Sequence, residues 1–164
     1  MELRNPSKRR PHTVLWDMDG TLVNTEPHRM AGQHALAAFH GIIWTESDAL
    51  ATVGKPMPVS AAMLREKGVP LTIEEIIDDL LVRVVKVLDG GIPWIPGAFE
   101  LLASVRNAGI PCALVTMAYK PVALRVAAGA PDGTFQVVVA GDDVQHGKPD
   151  PEAYLRLRPA GSRP

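Results

Sequence analysis

Two aspartates separated by one residue follow the first apolar run of the chain. In the stretch VLWDMDGTL these are Asp17 and Asp19, and Gly20 and Thr21 come directly after them. Residues i and i+2 of an extended backbone point to the same side, so both carboxylates can share one concave site. Two such charges about 4 Å apart repel each other by roughly 4 kcal/mol at an effective dielectric constant near 20. Mg²⁺, which prefers oxygen ligands, is the natural cation to offset that repulsion.

Three short apolar runs are predicted as the strands that position such a site. They span His12–Trp16, Pro111–Val115 and Phe135–Ala140, and each is continuously apolar rather than alternating. This pattern favours strands buried on both faces, as in parallel sheets. Residues 97–109 and 121–128 are predicted as connecting helices, because the first ends at glycine and the second begins with proline. Alternating strands and helices predict a doubly wound, Rossmann-like α/β sheet.

The interval between the first strand and residue 93 is predicted to be helical. Pro27–His40 and Val59–Lys67 are each followed by a glycine that would end a helix. Thr72 and Glu75 form a capping-box pattern ahead of the amphipathic helical stretch IIDDLLVRVVKVL, residues 76–88. The predicted domains are a core of residues 1–23 and 93–164 and an inserted helical cap of residues 24–92.

Three stretches of the chain resemble the motif regions of one enzyme family. They are DMDGTLVNTEP, IPWIPGAFELLASVRNAGIPCALVTMA and VVVAGDDVQHGKPDPEAY, within a likeness that runs from about Thr13 to Leu155. The family is the haloacid dehalogenase superfamily, in its phosphatase branch with an inserted helical cap, similar to β-phosphoglucomutase and phosphoglycolate phosphatase. The resemblance implies a Mg²⁺-dependent hydrolase of a small phosphate ester. An acid at Asp19 argues against dehalogenase chemistry, because that branch lacks this carboxylate.

The resemblance also implies catalytic roles for four residues. Asp17 would take up the phosphoryl group as an aspartyl-phosphate, and Asp19 would protonate the leaving alcohol and then deprotonate the attacking water. Both aspartates would hold the metal. The Thr116 hydroxyl and the backbone amides after it would bind the phosphoryl oxygens. Lys148, in GKPDPE, would neutralise Asp17 and the transferred phosphate.

Four further residues are predicted to contact the substrate. Gly54 and Lys55 lie in a predicted cap loop that could face the site. Met117 and Ala118 follow Thr116 at the end of the second predicted strand, where relatives more often carry a small polar residue. Cap loops set the substrate in this family, so the sequence does not name the phosphate ester.

The family's fourth motif, an acidic pair that completes the metal site, has no evident counterpart after Lys148. Asp142 and Asp143 lie at the end of a different predicted strand, and Glu152 lies in a predicted helix. We therefore expect a truncated or frameshifted member that binds Mg²⁺ weakly and has little activity by itself. Relatives are expected to be monomers, whereas here His12–Trp16 would become a sheet edge that promotes self-association.

Two other functions remain open at this stage. A sugar phosphomutase would use the same aspartyl-phosphate but would exclude water while the intermediate turns over. A non-catalytic remnant would bind phosphate or a partner chain. Hydrolysis, isomerisation and the absence of both would separate the three.

The composition limits the classes of partner. The 164 residues are 46% hydrophobic and 21% charged, which is ordinary for a globular protein. A net charge of −1 gives no reason to expect a nucleic acid, and no apolar run suggests a membrane span or secretory signal. The single cysteine, Cys112, lies in an apolar run and is predicted to be a buried core residue. One cysteine forms no internal disulfide, so a cytoplasmic location is predicted.

Overall fold

The computed structural model of the chain describes residues 10–157. Within them, the first strand is followed by five helices, and strands and helices then alternate to the end of the described chain. The strands are β1 (Val14–Trp16), β2 (Cys112–Val115) and β3 (Phe135–Val139). The helices are α1 (Glu26–Phe39), α2 (Glu46–Leu50), α3 (Met57–Glu66), α4 (Ile73–Asp89), α5 (Ala98–Asn107), α6 (Lys120–Gly129) and α7 (Glu152–Leu155).

The three strands form one parallel sheet in the order β1-β2-β3. Trp16, Leu114 and Val138 are in register across the sheet and face the main apolar core. Leu15, Ala113 and Val137 are in register on the other face. The doubly wound α/β architecture predicted from the sequence is confirmed, and within the described residues β1 is an edge strand.

The prediction that all three strands are buried on both faces is wrong for β1 and β3. Only β2 is buried along its whole length, including Cys112 as predicted. Leu15 of β1 is 45% exposed and Val137 of β3 is 43% exposed. Both lie on the outer strands, on the face opposite the main core, where residues 10–157 cover the sheet incompletely.

The helices between β1 and α5 form where the sequence predicts them, with one addition. The predicted capping box of Thr72 and Glu75 begins α4, whose apolar stripe is buried. The sequence did not predict α2, although Thr45 and Asp48 form a second capping box at its start. A helix of five residues is too short to show a repeating apolar pattern.

The long helix α4 packs beside helix α6. One contact from the end of α4 and one from the segment after it connect the two helices. The Asp89 carboxylate at the end of α4 accepts a hydrogen bond from Arg125 Nε at 2.6 Å. Beyond α4, Ile92 packs on Gly129 so closely that a Cβ there would lie 2.6 Å from Ile92 Cγ1. Cap helices and sheet share one apolar cluster, so the proposed domain limits at residues 23 and 93 stay a prediction.

None of the helices in the described part of the chain is long and apolar enough to cross a bilayer.

Candidate active site

Lys148 joins the ends of the two adjacent strands β1 and β2. Its Nζ donates to Asp17 Oδ1 at 2.7 Å and to the carbonyl oxygen of Val115 at 2.6 Å. The same Nζ lies 5.6 Å from the ring centroid of Tyr154, within the range of a cation–π contact. Lys148 is 21% exposed and Asp17 is 46% exposed, so the pair lies at the surface of the sheet end, open to a ligand.

The second aspartate is held by a residue that the sequence analysis did not single out. Asp19 lies in the turn after β1, where Gly20 adopts a left-handed backbone with φ 75°. The Thr25 hydroxyl donates a short hydrogen bond to Asp19 Oδ1. Thr25 is also the N-cap of α1, but its side chain makes no capping bond to that helix. The sequence analysis made no prediction for this threonine, so the contact was missed.

The environment of Asp19 favours its protonated form. The residue as a whole is exposed, yet the carboxyl oxygen that bonds Thr25 faces a side chain that is only 5% exposed. Burial of this carboxyl is the largest effect and raises its pKa, and the charge of nearby Asp17 raises it further. The Thr25 hydrogen bond and the charge of Arg29 act in the opposite direction without cancelling the increase. The Asp17 carboxylate is thus close enough to raise the pKa of Asp19.

Thr116 lies directly after β2, fully buried, with its hydroxyl turned towards its own chain. The Thr116 Oγ1 accepts a hydrogen bond from the amide of Ala118 at 3.0 Å. That amide is one of the two donors predicted to bind phosphoryl oxygens, and it would have to exchange partners to do so. Ala118 also accepts a hydrogen bond from the Gly141 amide at 2.8 Å through its carbonyl oxygen. Ala118 thus connects the end of β2 to the segment after β3.

Met117 contacts the loop that carries Lys148. The Lys148 amide donates to Met117 Sδ at 3.2 Å. A Cβ on Gly147 would lie 3.0 Å from the same sulfur, and a Cβ on Gly141 would lie 2.3 Å from the Met117 carbonyl oxygen. Two glycines therefore allow the chain after β3 to approach Met117 closely. The predicted contact of Met117 with a substrate stays a prediction.

The predicted cap loop is held by helix α1, away from direct contact with the strand ends. Arg29 Nη2 donates to the Thr52 carbonyl oxygen at 3.0 Å, and the buried Gln33 amide donates to the Thr52 hydroxyl at 3.0 Å. Gly54 turns the loop with φ 72°, and the Lys55 amide donates back to Thr52. Within residues 10–157, no hydrogen bond or ion pair links Gly54 or Lys55 to the four predicted catalytic residues.

The acidic residues near the other strand end are engaged elsewhere. Asp142 accepts the amide of Lys120, and Asp143 accepts both the Lys120 ammonium and the Ala140 amide. Glu152 accepts the amides of His146 and Gln145, which with smaller contributions lower its pKa to about 2. These carboxylates fix the segment between β3 and α7 and are not directed at Asp17.

The residues present offer the type of ligand that a magnesium ion prefers, but only a small number of them lie together within residues 10–157. Asp17 and Asp19 offer hard oxygen donors, and Mg²⁺ is often bound through one or two carboxylates with its remaining positions filled by water. Among residues 10–157, no group of three or more His, Cys, Asp or Glu side chains is arranged to hold a metal. Two protein residues would therefore carry the ion.

Comparison with known proteins identifies the family. A model of the haloacid dehalogenase-like hydrolases matches residues 11–158. The chain belongs to that family. Among curated proteins, CbbY of Cereibacter sphaeroides is 34% identical over 88% of this chain and 69% of its own length. Hexitol phosphatase A of Escherichia coli is 33% identical over 86% of this chain and 64% of its own length. The phosphorylated carbohydrates phosphatase of Thermotoga maritima is 33% identical over 87% and 67%.

Solved structures agree with this assignment. CbbY from Rhodobacter sphaeroides, crystallised with phosphate, superposes with a TM-score of 0.74 at 29% identity, over 88% of this chain and 70% of that one. A variant of the same protein in complex with xylulose-1,5-bisphosphate superposes equally well. The resemblance and the fold inferred from the sequence are confirmed. This chain spans about two thirds of the length of the curated relatives it matches.

Proposed function

We propose that this hydrolase cleaves phosphate monoesters of sugars or sugar alcohols, with Asp17 as the residue that accepts the phosphoryl group. The observation that carries the proposal is the Lys148 ammonium 2.7 Å from Asp17 Oδ1, beside a second carboxyl group on Asp19. A nucleophilic carboxylate, a fixed cation and a group able to move a proton are what phosphoryl transfer to a side chain requires. Two relatives named as phosphatases of hexitols and phosphorylated carbohydrates support the substrate class.

In the first step, a carboxylate oxygen of Asp17 attacks the phosphorus of the ester. The bond between phosphorus and the sugar oxygen breaks as the bond to Asp17 forms. Asp19 donates its proton to the leaving oxygen, so the sugar departs as a neutral alcohol. The raised pKa of Asp19 supports this role, because burial makes its carboxyl group hold a proton more readily than an exposed aspartate does.

In the second step, water attacks the phosphorus of the aspartyl-phosphate. Asp19, now ionised, takes a proton from that water, and the bond from phosphorus to Asp17 breaks. Inorganic phosphate leaves and both aspartates return to their starting states. Lys148 stays within reach of Asp17 throughout and offsets the negative charge gathered on the phosphoryl oxygens.

We propose Mg²⁺ as the cofactor, held by the Asp17 carboxylate and by the backbone carbonyl oxygen of Asp19, which leaves the Asp19 carboxyl group free to move a proton. When bound, it would supply positive charge that reduces the repulsion between the carboxylates and the phosphate. The Thr116 hydroxyl would add a further contact to the phosphoryl oxygens. Two residues within the described range 10–157 would hold the ion, and weak Mg²⁺ binding and slow turnover by this chain stay predictions.

Phosphate release from a panel of esters tests the proposal. Hexitol phosphates, hexose phosphates and a ketose bisphosphate would each be incubated with the purified chain, with Mg²⁺ and with a chelator. We expect Mg²⁺-dependent release of inorganic phosphate that Asp17→Asn abolishes. Isomerisation of a glucose phosphate without release would instead support a phosphomutase. Failure to release phosphate, together with failure of the Asp17 carboxylate to bind the phosphoryl analogue beryllofluoride, would overturn the proposal.

A further inference from the structure

Met117 contacts the backbone of the loop that carries Lys148. It lies between Thr116 and Ala118, at the place where the second strand ends. Its sulfur accepts the backbone amide of Lys148 at 3.2 Å, whereas the Lys148 side chain runs on to Asp17. The same residue therefore contacts the main chain of the lysine whose ammonium group neutralises the proposed nucleophile.

Met117 packs against a small apolar cluster that is separate from the main core. Its position relative to β2 and β3 is set by this packing. The buried members are Val115, Val139 and Ala153, and the residues that pack on them are Met117, Val144 and Leu157. The cluster includes residues of β2, β3 and α7, so Met117 packs against buried side chains where the two strands end.

The loop has no spare room around the sulfur. A Cβ on Gly147 would lie 3.0 Å from Met117 Sδ, a tight contact that the sulfur would have to relieve by shifting a few tenths of an ångström. Gly147 is not among the glycines with a positive φ, so its backbone conformation does not demand glycine. The missing side chain at Gly147 is thus explained by the position of the methionine, and the two residues fit together as a pair.

We infer that Met117 is a positioning residue. Its contact with the Lys148 backbone fixes where that backbone lies relative to the ends of β1 and β2, and so keeps the ammonium group within hydrogen-bond distance of Asp17. A small polar residue here could not fill this space, and it would leave the Lys148 amide without the sulfur acceptor. The catalytic consequence rests on the function proposed above, but the position of Lys148 does not. The two can therefore be tested apart.

Chemical labelling of lysine amines in the intact chain measures that position directly. Brief pulses of acetic anhydride, followed by mass spectrometry, would give the acylation rate of Lys148. The exposed Lys86 on α4 serves as an internal reference in the same molecule. An ammonium bonded to a carboxylate and a carbonyl oxygen reacts slowly, and it reacts faster when those bonds open more often.

The expected pattern uses two substitutions and their combination. Met117→Leu keeps the volume but removes the acceptor, and we expect Lys148 to acylate about threefold to fivefold faster, the ratio given by one weak hydrogen bond. Gly147→Ala should also raise the rate, because the new methyl group displaces the sulfur. In the background of Met117→Ala, Gly147→Ala should add nothing further, since the obstructing sulfur is gone.

Three results would overturn the inference. One is an unchanged Lys148 rate in the Met117→Leu chain. Another is an equal rise at Lys86, which would show general loosening of the fold rather than a local role. The third is a change in KM for a hydrolysed ester with Lys148 labelling unaltered, which would make Met117 a substrate contact. Absence of phosphate release and of beryllofluoride binding in the parent chain, alongside the expected labelling pattern, would contradict the proposed function and leave the position of Lys148 supported.

Discussion

Asp17 and Asp19 follow β1, and Asp142 and Asp143 follow β3, so both outer strands of the described sheet carry an acidic pair at their carboxyl ends. The two pairs differ in what surrounds them. Both oxygens of Asp143 are used, one by the Lys120 ammonium and the other by the Ala140 amide. Lys148 contacts only Oδ1 of Asp17, and residues 10–157 give the other oxygen no hydrogen bond.

The difference shows that position at a strand end does not by itself make a carboxylate reactive. A parallel sheet directs side chains after several strands to the same edge. Local backbone amides and a nearby lysine then convert one pair into structural acceptors. Asp17 keeps an oxygen that can act as a nucleophile or metal ligand, and Lys148 is the cation paired with it among residues 10–157. The kind of partner separates the two pairs: Asp142 and Asp143 accept backbone amides and the Lys120 ammonium, which fix the local chain.

The largest expected effect comes from removing the nucleophile. Asp17→Asn should lower kcat for phosphate release on the order of a thousandfold or more, because an amide is a poor nucleophile. Asp142→Asn is the matched control, since an amide oxygen can still accept the Lys120 amide, and its kcat should stay within about twofold of the parent chain. Comparable losses in both variants would erase the distinction between the pairs.

Metal binding should divide the pairs in the same way with a smaller effect. Asp17→Asn should weaken Mg²⁺ binding by about 10–100-fold, the range seen when a ligand or its support is lost. Asp143→Asn should leave the binding unchanged. Calorimetry, or paramagnetic resonance with Mn²⁺ as a substitute, measures both. A large loss in the Asp143 variant would mean that the second pair had been recruited to the metal site.

The contact between Thr25 and Asp19 gives a third and smaller test. Thr25→Val keeps the shape but removes the hydroxyl, and we expect kcat to fall about tenfold as Asp19 loses its orientation. Thr134→Val removes a hydroxyl that bonds a backbone carbonyl at the start of β3, where a similar stability loss should leave kcat unaffected. Equal kcat values after correction for the folded fraction would remove Thr25 from the site.

The smallest effects are opposite responses to pH. Burial raises the pKa of Asp19 above 3.8, so its contribution favours the fold below that value and is lost as the pH rises through the folded pKa. The bond to Lys120 lowers the pKa of Asp143 below 3.8, so its contribution is present above that value and is lost as the pH falls. Carbon-detected NMR titration of the carboxyl groups should show shifts of opposite sign. Shifts of the same sign would mean that both pairs share one environment.

Much of this arrangement is predictable because it depends on local patterns. Continuous apolar runs predict the strands, and a capping box predicts the start of α4. The resemblance to the haloacid dehalogenase superfamily implies that Asp17 and Lys148 belong to one site, and the structure brings the two together. The same patterns missed α2, which is too short to show periodicity, and predicted two-sided burial that Leu15 and Val137 do not have.

The contacts that tune the site were beyond sequence reasoning for a different reason. Thr25 has the residue type and place of a helix cap, yet its hydroxyl turns to Asp19. Met117 stood out only as a departure from relatives, and its contact with Lys148 follows from how two loops cross. Each depends on side-chain direction after the chain has folded, which neither composition nor spacing specifies. The predicted contacts of Gly54 and Lys55 with a substrate stay a prediction.

The ion pair of Lys148 and Asp17 closes a loop of 131 residues, which gives the site a place in the order of folding. Contacts this distant in sequence form slowly, because the entropy of closing a long loop must be overcome before the contact contributes. Synthesis begins at the amino end, so Asp17 and the helices α1 to α4 are complete before Lys148 exists. Asp17 therefore lacks its Lys148 partner until the last part of the described chain has been made. The arrival of Lys148 is a late event, and a protected Lys148 amine would report that the sheet end has assembled.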